Sequence, residues 1–128
     1  MVRYPGPGGA ARAVLTSRPE IVTAPGRVQA WVIGSGLPET EARDRLGAVL
    51  DSGLPCVVDA GALAALPAHV GPQVLLTPHA GELSALLTSR GERVSRAEVE
   101  AAPAHWARRA QRLTGATVLL KGSCTLVC

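Results

Sequence analysis

Short apolar runs recur along the chain, and each of the first four ends at a polar or glycine-containing turn. The runs cover residues 28–33, 55–58, 74–76, 116–120 and 126–128. A short, nearly continuous apolar run is typical of a strand that is covered on both faces, as in a parallel sheet. Between the runs, apolar residues recur at steps of three and four, which is typical of amphipathic helices. The pattern predicts an α/β fold with a doubly wound, mostly parallel sheet.

Two helices are well marked. The first is expected to begin at Pro38, where a missing N–H costs nothing, and to end at Gly53. The residues predicted to form its buried stripe are Ala42, Leu46, Val49 and Leu50. A second helix is expected over residues 103–113. The residues predicted to share one face of that helix are Trp106, Ala110 and Leu113.

Shorter elements and loops fill the rest of the chain. Residues 1–9 hold two prolines and three glycines, so we expect a loop there. A short helix over residues 10–16 and a short strand over residues 21–23 should follow. Residues 88–93 read as a polar loop, and the Ser95 to Glu98 spacing is that of a capping box.

Four positions at or just after the predicted strand ends are candidates for a site, namely Gly36, Asp59, His79 and Lys121. Parallel strands joined by right-handed crossovers end at one edge of the sheet, and α/β proteins bind ligands there. We therefore expect the four residues to converge. The glycine turn admits close approach of a ligand, and the lysine followed by hydroxyls suits a nucleotide phosphate.

Each of these polar side chains also has a purely structural interpretation. His79 can cap the following helix, and Asp59 can cap a short helix expected at residues 60–66. Lys121 can stand beside the turn of a β-hairpin formed by Gly122 and Ser123. These alternatives stay open at this stage, and none of them excludes a functional role.

Composition and charge narrow the function classes. At 128 residues, 47% of them apolar and 2% aromatic, the chain is long enough for one domain with a core of Ala, Val and Leu. The net charge of +3 comes from scattered basic residues, so nucleic-acid binding is not indicated. The arginines at positions 108, 109 and 112 are expected to face water late on their helix.

The cysteines and the apolar runs bear on location. Cys56, Cys124 and Cys128 show neither zinc-site spacing nor an even number, so neither a metal site nor a disulfide framework is indicated. We expect Cys56 and Cys124 to be small buried thiols of a reducing cytosol. No apolar run is long enough to cross a membrane and no signal-peptide pattern is present, so we expect a cytoplasmic protein.

Four segments, taken in order and spacing, resemble the ADP-dependent (S)-NAD(P)H-hydrate dehydratases. These are residues 32–37, 57–63, 75–83 and 118–125, and the specific parts are Thr-Pro-His-x-Gly-Glu and Lys-Gly-x-x-Thr. The resemblance implies a ribokinase-like, carbohydrate-kinase-like fold. It also implies a role in repairing hydrated nicotinamide cofactors, in which phosphorylation turns the added hydroxyl into a leaving group.

The resemblance assigns roles residue by residue. It implies that Gly36 and His79 contact the hydrated dinucleotide, NADHX or NADPHX, with Asp59 and Glu82 in support. It implies that ADP, or in some members ATP, is held by Lys121, Gly122, Ser123, Cys124 and Thr125. A Mg²⁺ ion is expected to screen the transferred phosphoryl group. The full-length family is expected to form homo-oligomers.

The sequence departs from the family pattern at several points. Ser35 stands where the family usually has proline, and Gly61 where it usually has a second aspartate. The Gly-Thr-Gly-Asp segment with the catalytic base is expected after Thr125 and is not in these residues, and no family catalytic residue is assigned. We therefore expect a domain that is incomplete at both ends, with residues 1–18 as leader and 19–128 as part of the domain. Negligible turnover and an exposed apolar sheet edge are expected of this chain alone.

Two other functions remain as alternatives. A related small-molecule kinase, acting on a vitamin precursor or a sugar, would share the fold, although residues 77–82 speak against it. A non-catalytic remnant that binds nucleotide is the alternative from a different class. ADP consumption with and without the hydrate separates the first alternative, and ligand-induced stabilisation separates the second.

Overall fold

The strands and helices follow the order that the apolar runs predict. The computed structural model describes all 128 residues. The strands are β1 (Trp31–Ile33), β2 (Cys56–Val58), β3 (Val74–Leu76), β4 (Thr117–Leu120) and β5 (Leu126–Val127). The helices are α1 (Gly8–Ser17), α2 (Glu39–Asp51), α3 (Ala80–Ser89), α4 (Arg96–Ala101) and α5 (Pro103–Thr114), with a 3₁₀ helix at Ala60–Ala65.

The five strands form one sheet, and their order in the sheet is the order of the chain. Strands β1 to β4 are parallel, and β5 pairs antiparallel with β4. The predicted α/β class and mostly parallel sheet are confirmed. Crossovers between parallel strands are right-handed. Because the strands are adjacent in chain order, every crossover passes over the same face of the sheet.

Burial differs between the two faces of the sheet. In β2 and β3 the first and last residues of the strand are buried, whereas the middle residues, Val57 and Leu75, are half-buried. Val57 lies between Val32 and Leu75 in the parallel register, and Val32 is 74% exposed. The apolar runs predicted strands covered on both faces, but these strands are fully buried on one face only.

The core lies on the covered face and contains the aliphatic residues that the composition predicts. Helix α2 packs on the 3₁₀ helix, which packs on α3, and α3 packs on α5. The largest fully buried side chains include Leu46, Leu76, Leu83 and Leu87. On α5, Ala107, Ala110 and Thr114 are buried, whereas the predicted Trp106 and Leu113 are half-buried at the margin.

Element boundaries differ from the predictions mainly near the N-terminus. Helix α1 includes Gly8 and Gly9, which were predicted to lie in a loop. A Cβ at either position would meet open space, and a glycine costs a helix only about 1 kcal/mol, so the following alanines extend the helix back through them. The strand predicted at residues 21–23 is a single bridge between Arg3 and Val22.

The remaining helix ends agree with the sequence within a few residues. Pro38 stands one residue before α2, and α5 begins at Pro103 as predicted. Helix α3 continues to Ser89, into the loop predicted at residues 88–93. The capping box of α4 is confirmed, and hydrogen bonds from the backbone and then the side chain of Ser95 lower the pKa of Glu98.

Candidate functional site

The loops that leave β2, β3 and β4 meet at one edge of the sheet. The amide of Thr77 donates to the carbonyl of Val58 at 3.1 Å, and the amide of Lys121 donates to the carbonyl of Pro78 at 2.8 Å. These bonds extend the parallel pairing past the ends of the strands. The first polar side chains after the three strands are therefore held side by side on what we call the rim, the edge carrying Asp59, Thr77, His79, Glu82 and Lys121.

Lys121 and Asp59 form an ion pair at the centre of the rim. The ammonium of Lys121 lies 2.7 Å from Oδ1 of Asp59, and the hydroxyl of Thr77 donates to the same oxygen at 2.9 Å. A second carboxylate, that of Glu82, lies 3.8 Å from the ammonium. Residues that are 62 positions apart in the chain thus share one hydrogen bond.

The environment of Asp59 lowers its pKa. Partial burial acts to raise the pKa of the Asp59 carboxyl. The hydrogen bonds from Lys121 and Thr77, the charge of Lys121 and a backbone hydrogen bond involving Ala60 outweigh burial and bring the pKa below its ordinary value. The Asp59 carboxylate is therefore ionised at neutral pH and holds the ammonium in place.

Asp59→Asn should make the unfolding free energy less sensitive to acid. The pKa of Asp59 is lower in the folded chain, so its contribution is complete above the unfolded pKa of about 4 and is lost as pH falls through the folded value. We expect the variant to be less stable by about 1 kcal/mol at pH 7, a small figure because both partners are partly exposed. Urea unfolding at a series of pH values measures the difference.

The exposed Asp44 provides the matched control for that measurement. Asp44→Asn makes the same chemical change on α2, where no hydrogen bond or ion pair involves the Asp44 side chain. We expect its unfolding free energy to follow that of the parent chain within about 0.5 kcal/mol at every pH. If the difference in unfolding free energy between Asp59→Asn and the parent grew as the pH fell, the ion pair would be contradicted.

His79 caps α3 and still presents one ring nitrogen to the solvent. Its Nδ1 accepts from the amides of Gly81 and Glu82 at 3.1 and 3.2 Å, and the Glu82 carboxylate accepts from the His79 amide at 2.8 Å. The capping role considered from the sequence is therefore present. Because Nδ1 is an acceptor, the neutral ring carries its proton on Nε2. The His79 side chain is 58% exposed, and its Nε2 lies 3.6 Å from Oε1 of Glu82, which is beyond hydrogen-bonding distance, so this N–H can donate to a ligand.

The glycine turn after β1 lies against the loop that carries Asp59. Gly34 has φ of +120°, and a Cβ built on it would lie 1.8 Å from the carbonyl oxygen of Asp59. Gly36 has φ of +73° and faces open space. Gly36 thus lies at the same edge of the sheet, beyond β2 and β3 from Lys121, and belongs to no hydrogen bond or ion pair of the rim.

Gly61, one of the departures from the family pattern, is explained by crowding. A Cβ at this position would lie 2.8 Å from the carbonyl oxygen of Leu37 in the turn before α2. An aspartate here would require the two loops to separate. The close approach of the β1 and β2 loops therefore depends on glycine at both Gly34 and Gly61.

The loop after Lys121 is an exposed hairpin turn between β4 and the antiparallel β5. The hairpin interpretation is therefore present as well. The hydroxyls of Ser123 and Thr125 form no hydrogen bond within the chain, so both are free to meet a ligand. Cys124 is exposed, and its predicted burial is wrong because it lies in the turn and not in a strand.

Two other sequence expectations have clear structural outcomes. Cys56 is buried as predicted, and burial raises the pKa of its thiol to about 11. Arg109, predicted to face water, pairs instead with Glu92, to which its Nε donates at 2.7 Å. That pair ties α5 to the segment between α3 and α4, so its role is structural.

Sequence reasoning did not assign a role to Thr77. The available signal was its position as the first polar residue after β3. A second signal was also overlooked: Lys121 is the only lysine among the 13 basic residues of the chain. The only lysine of an arginine-rich chain stands at the end of a strand, and this position is a more specific signal for the rim than the position of any glycine.

Other features of the surface lie away from the rim. A cavity of about 280 Å³ is bounded by residues of α2 and by the segment leading into β3, at the opposite ends of the strands. It lacks the converging charges of the rim. No group of three or more His, Cys, Asp or Glu side chains is placed to hold a metal ion. No helix has the length and apolar character needed to cross a membrane.

Comparisons with known proteins agree with the motifs of the rim. A family model described as NAD(P)H-hydrate dehydratase, of the carbohydrate kinase type, matches residues 10–128. The bifunctional NAD(P)H-hydrate repair enzyme Nnr of Mycobacterium tuberculosis is 40% identical over 141 residues, which cover 99% of this chain and 27% of that protein. The ADP-dependent (S)-NAD(P)H-hydrate dehydratase of Xanthomonas campestris is 38% identical over 101 residues, or 77% of this chain and 33% of that protein.

A solved structure is also similar to this chain. The ADP/ATP-dependent NAD(P)H-hydrate dehydratase from Bacillus subtilis, co-crystallised with ATP and Mg²⁺, aligns with a TM-score of 0.78 at 28% identity. The alignment covers 94% of this chain and 47% of that one. This chain spans between about a quarter and a third of the length of the curated relatives named above. Since the family match extends over nearly all of its residues, the chain belongs to the NAD(P)H-hydrate dehydratase family.

Proposed function

We propose that this chain forms part of the site of an ADP-dependent (S)-NAD(P)H-hydrate dehydratase, which returns hydrated NADH or NADPH to the reduced cofactor. The observation that carries the proposal is the hydrogen-bonded group of Asp59, Thr77 and Lys121 at the strand ends. Thr77 and Lys121 begin the two motifs most specific to the family, and Asp59 lies in the segment at residues 57–63 that also resembles it. Residues 19–128 are proposed as the family domain.

The rim suits an anionic nucleotide. Lys121 uses one hydrogen-bonding contact for Asp59, and its side chain is 42% exposed, so further N–H groups of the ammonium can reach a phosphate. The free hydroxyls of Ser123 and Thr125 follow in the exposed turn. We propose that residues 121–125 hold ADP or ATP, which supplies the phosphoryl group that makes the added hydroxyl a leaving group.

His79 and Gly36 are proposed to contact the hydrated dinucleotide. The exposed Nε2–H of His79 can donate to a phosphate or carbonyl oxygen, while its Nδ1 stays committed to the start of α3. His79 is therefore proposed to orient substrate through Nε2. Gly36 leaves the backbone of its turn open to close approach, because no atom would meet a Cβ there.

The residues do not form a magnesium site of their own. The Asp59 carboxylate pairs with Lys121, and the Glu82 carboxylate accepts from the amide of His79 in the cap of α3. No cluster of three potential metal ligands is present. The expected Mg²⁺ thus has no position built by these residues alone. A cytoplasmic location and assembly into homo-oligomers, as expected for the family, remain part of the proposal.

Binding of ADP should raise the stability of the 128-residue chain. At about 100 times its dissociation constant, a ligand that binds the folded state stabilises it by about 2.7 kcal/mol. Lys121→Gln should remove most of this gain because it removes the ammonium, whereas Arg112→Gln, an exposed change of the same charge on α5, should leave the gain intact. Thermal unfolding with and without ADP measures the gain in stability for the parent and for each variant.

Two outcomes would contradict the proposed function. One is equal ADP stabilisation of the parent and of Lys121→Gln, since the anion would then bind elsewhere. The other is a chain that binds ADP but is indifferent to NADHX in the same assay. Consumption of ADP that requires a vitamin precursor or sugar alcohol as phosphoryl acceptor, and not the hydrate, would indicate instead the related small-molecule kinase.

A further inference from the structure

The two carboxylates beside Lys121 hold it unequally. Asp59 lies at 2.7 Å, which is hydrogen-bonding distance, whereas Glu82 lies at 3.8 Å and makes only a longer charge contact. The Asp59 side chain is 27% exposed and that of Glu82 is 22% exposed, so exposure does not explain the difference. The two carboxylates differ in the hydrogen bonds that they make to other groups.

Asp59 is fixed from three directions. Its Oδ1 accepts from both Thr77 and Lys121, and its amide donates to the carbonyl of Ile33 at 2.9 Å. Asp59 stands at the N-cap of the 3₁₀ helix, yet its side chain makes no cap hydrogen bond there, and the backbone of the adjacent Ala60 makes the smallest contribution to its lowered pKa. An N-cap aspartate would ordinarily bond to its own helix, so this carboxylate is directed across the strand ends to Lys121 instead.

Glu82 has a separate task and a weaker hold on the ammonium. Its Oε2 accepts from the amide of His79 at 2.8 Å as part of the α3 cap, and the same oxygen is the one 3.8 Å from Lys121. An incoming anion can approach the ammonium on the side facing Glu82 without breaking the Glu82 cap. The same approach on the Asp59 side would break the hydrogen bond between Lys121 and Asp59.

We propose that Asp59 is a positioning residue, oriented by Thr77, that holds the Lys121 ammonium in place at the rim, and that a phosphate oxygen binds the ammonium on the side facing Glu82. The identity of the anion as an adenine nucleotide phosphate rests on the proposed function. The positioning of Lys121 by Asp59 does not depend on the proposed function. An otherwise flexible lysine loses side-chain entropy when it binds, and holding it beforehand reduces that cost.

The single lysine makes the first half of this proposal directly measurable. Growth with ¹³C,¹⁵N-lysine labels Lys121 alone, so its NMR signals need no assignment. In the parent chain without ligand, we expect two distinct Hε signals and slowly exchanging Nζ protons. In Asp59→Asn the Hε signals should merge and the exchange should accelerate, whereas Asp44→Asn should resemble the parent.

Thr77→Val provides a second variant that keeps the Asp59 charge. It removes the hydroxyl that orients Asp59 and nearly preserves the side-chain volume, so its Lys121 signals should fall between those of the parent and Asp59→Asn. The amide spectrum of each chain verifies folding. Folded Asp59→Asn or Thr77→Val with the Lys121 signals of the parent would overturn the positioning role.

Titration with ADP tests the second half. We expect ADP to shift the Lys121 signals of the parent, and Asp59→Asn to weaken binding about tenfold, the equivalent of about 1.4 kcal/mol. Glu82→Gln removes a negative charge beside the anion and keeps an oxygen for the cap, so it should tighten binding. Unchanged Lys121 signals on adding ADP to the parent would overturn the anion contact and the proposed nucleotide role, while the ligand-free comparison would still decide the role of Asp59.

Discussion

Gly34→Ala is expected to destabilise the chain by more than about 3 kcal/mol, above the usual range for a single substitution, and to disorganise the rim. The new methyl group would lie 1.8 Å from the carbonyl oxygen of Asp59 and 2.9 Å from Cβ of Ala62. The obstructing atom is backbone, so no side-chain rotation relieves the clash. The φ of +120° adds strain of about 1–3 kcal/mol for a residue with a Cβ. Urea unfolding midpoints measure the loss.

Gly36→Ala is the matched control two residues away. It also has a positive φ, +73°, but a Cβ there meets nothing within 4 Å. The left-handed conformation alone costs about 1–2 kcal/mol, partly offset by the lower entropy of the unfolded alanine chain. If both alanine variants lost the same stability, the close approach of the two loops would be refuted.

Leu76→Ala is expected to cost about 2–5 kcal/mol, the range for a fully buried leucine. Leu76 is 0% exposed in the central strand β3, where it pairs with Val58 on one side and Val118 on the other. Removing it leaves a cavity directly before Thr77, so the orientation of Asp59 should also suffer. Chemical unfolding measures the stability, and the lysine signals described above report on the rim.

Leu75→Ala makes the same change one residue earlier in the same strand. Leu75 points to the other face of the sheet and is only half-buried, so its loss should cost roughly half as much or less. Equal costs for the two leucines would mean that both faces are equally covered. That result would contradict the description of a sheet with helices packed on one side.

The units of the fold were predictable because each of the first four apolar runs ends at a clear polar or glycine-containing turn. The turn after β3 and the capping box of α4 are local features, and both are present as predicted. The pairing of Lys121 with Asp59 was not predictable in the same way. It depends on which strands are neighbours, and that information is spread over 62 residues of sequence.

The errors have a common cause, which is that apolarity along a run does not reveal what covers each face. Cys124 was predicted to be buried because it stands near apolar neighbours, yet it lies in an exposed turn. Val32 belongs to a strand and is 74% exposed. Gly36 is a different case: it lies at the predicted edge of the sheet with His79, but it takes no part in the hydrogen bonds of the rim.

The partly covered sheet face has a thermodynamic consequence. Only 25 of 128 residues are buried, and the side chains of Val57, Leu75 and Leu119 already meet water in the folded state. Unfolding therefore hydrates less new apolar surface, and the heat capacity increment should fall below the usual value of about 12–15 cal/mol/K per residue. A smaller increment flattens the curve of stability against temperature, so this chain should lose little of its stability on cooling.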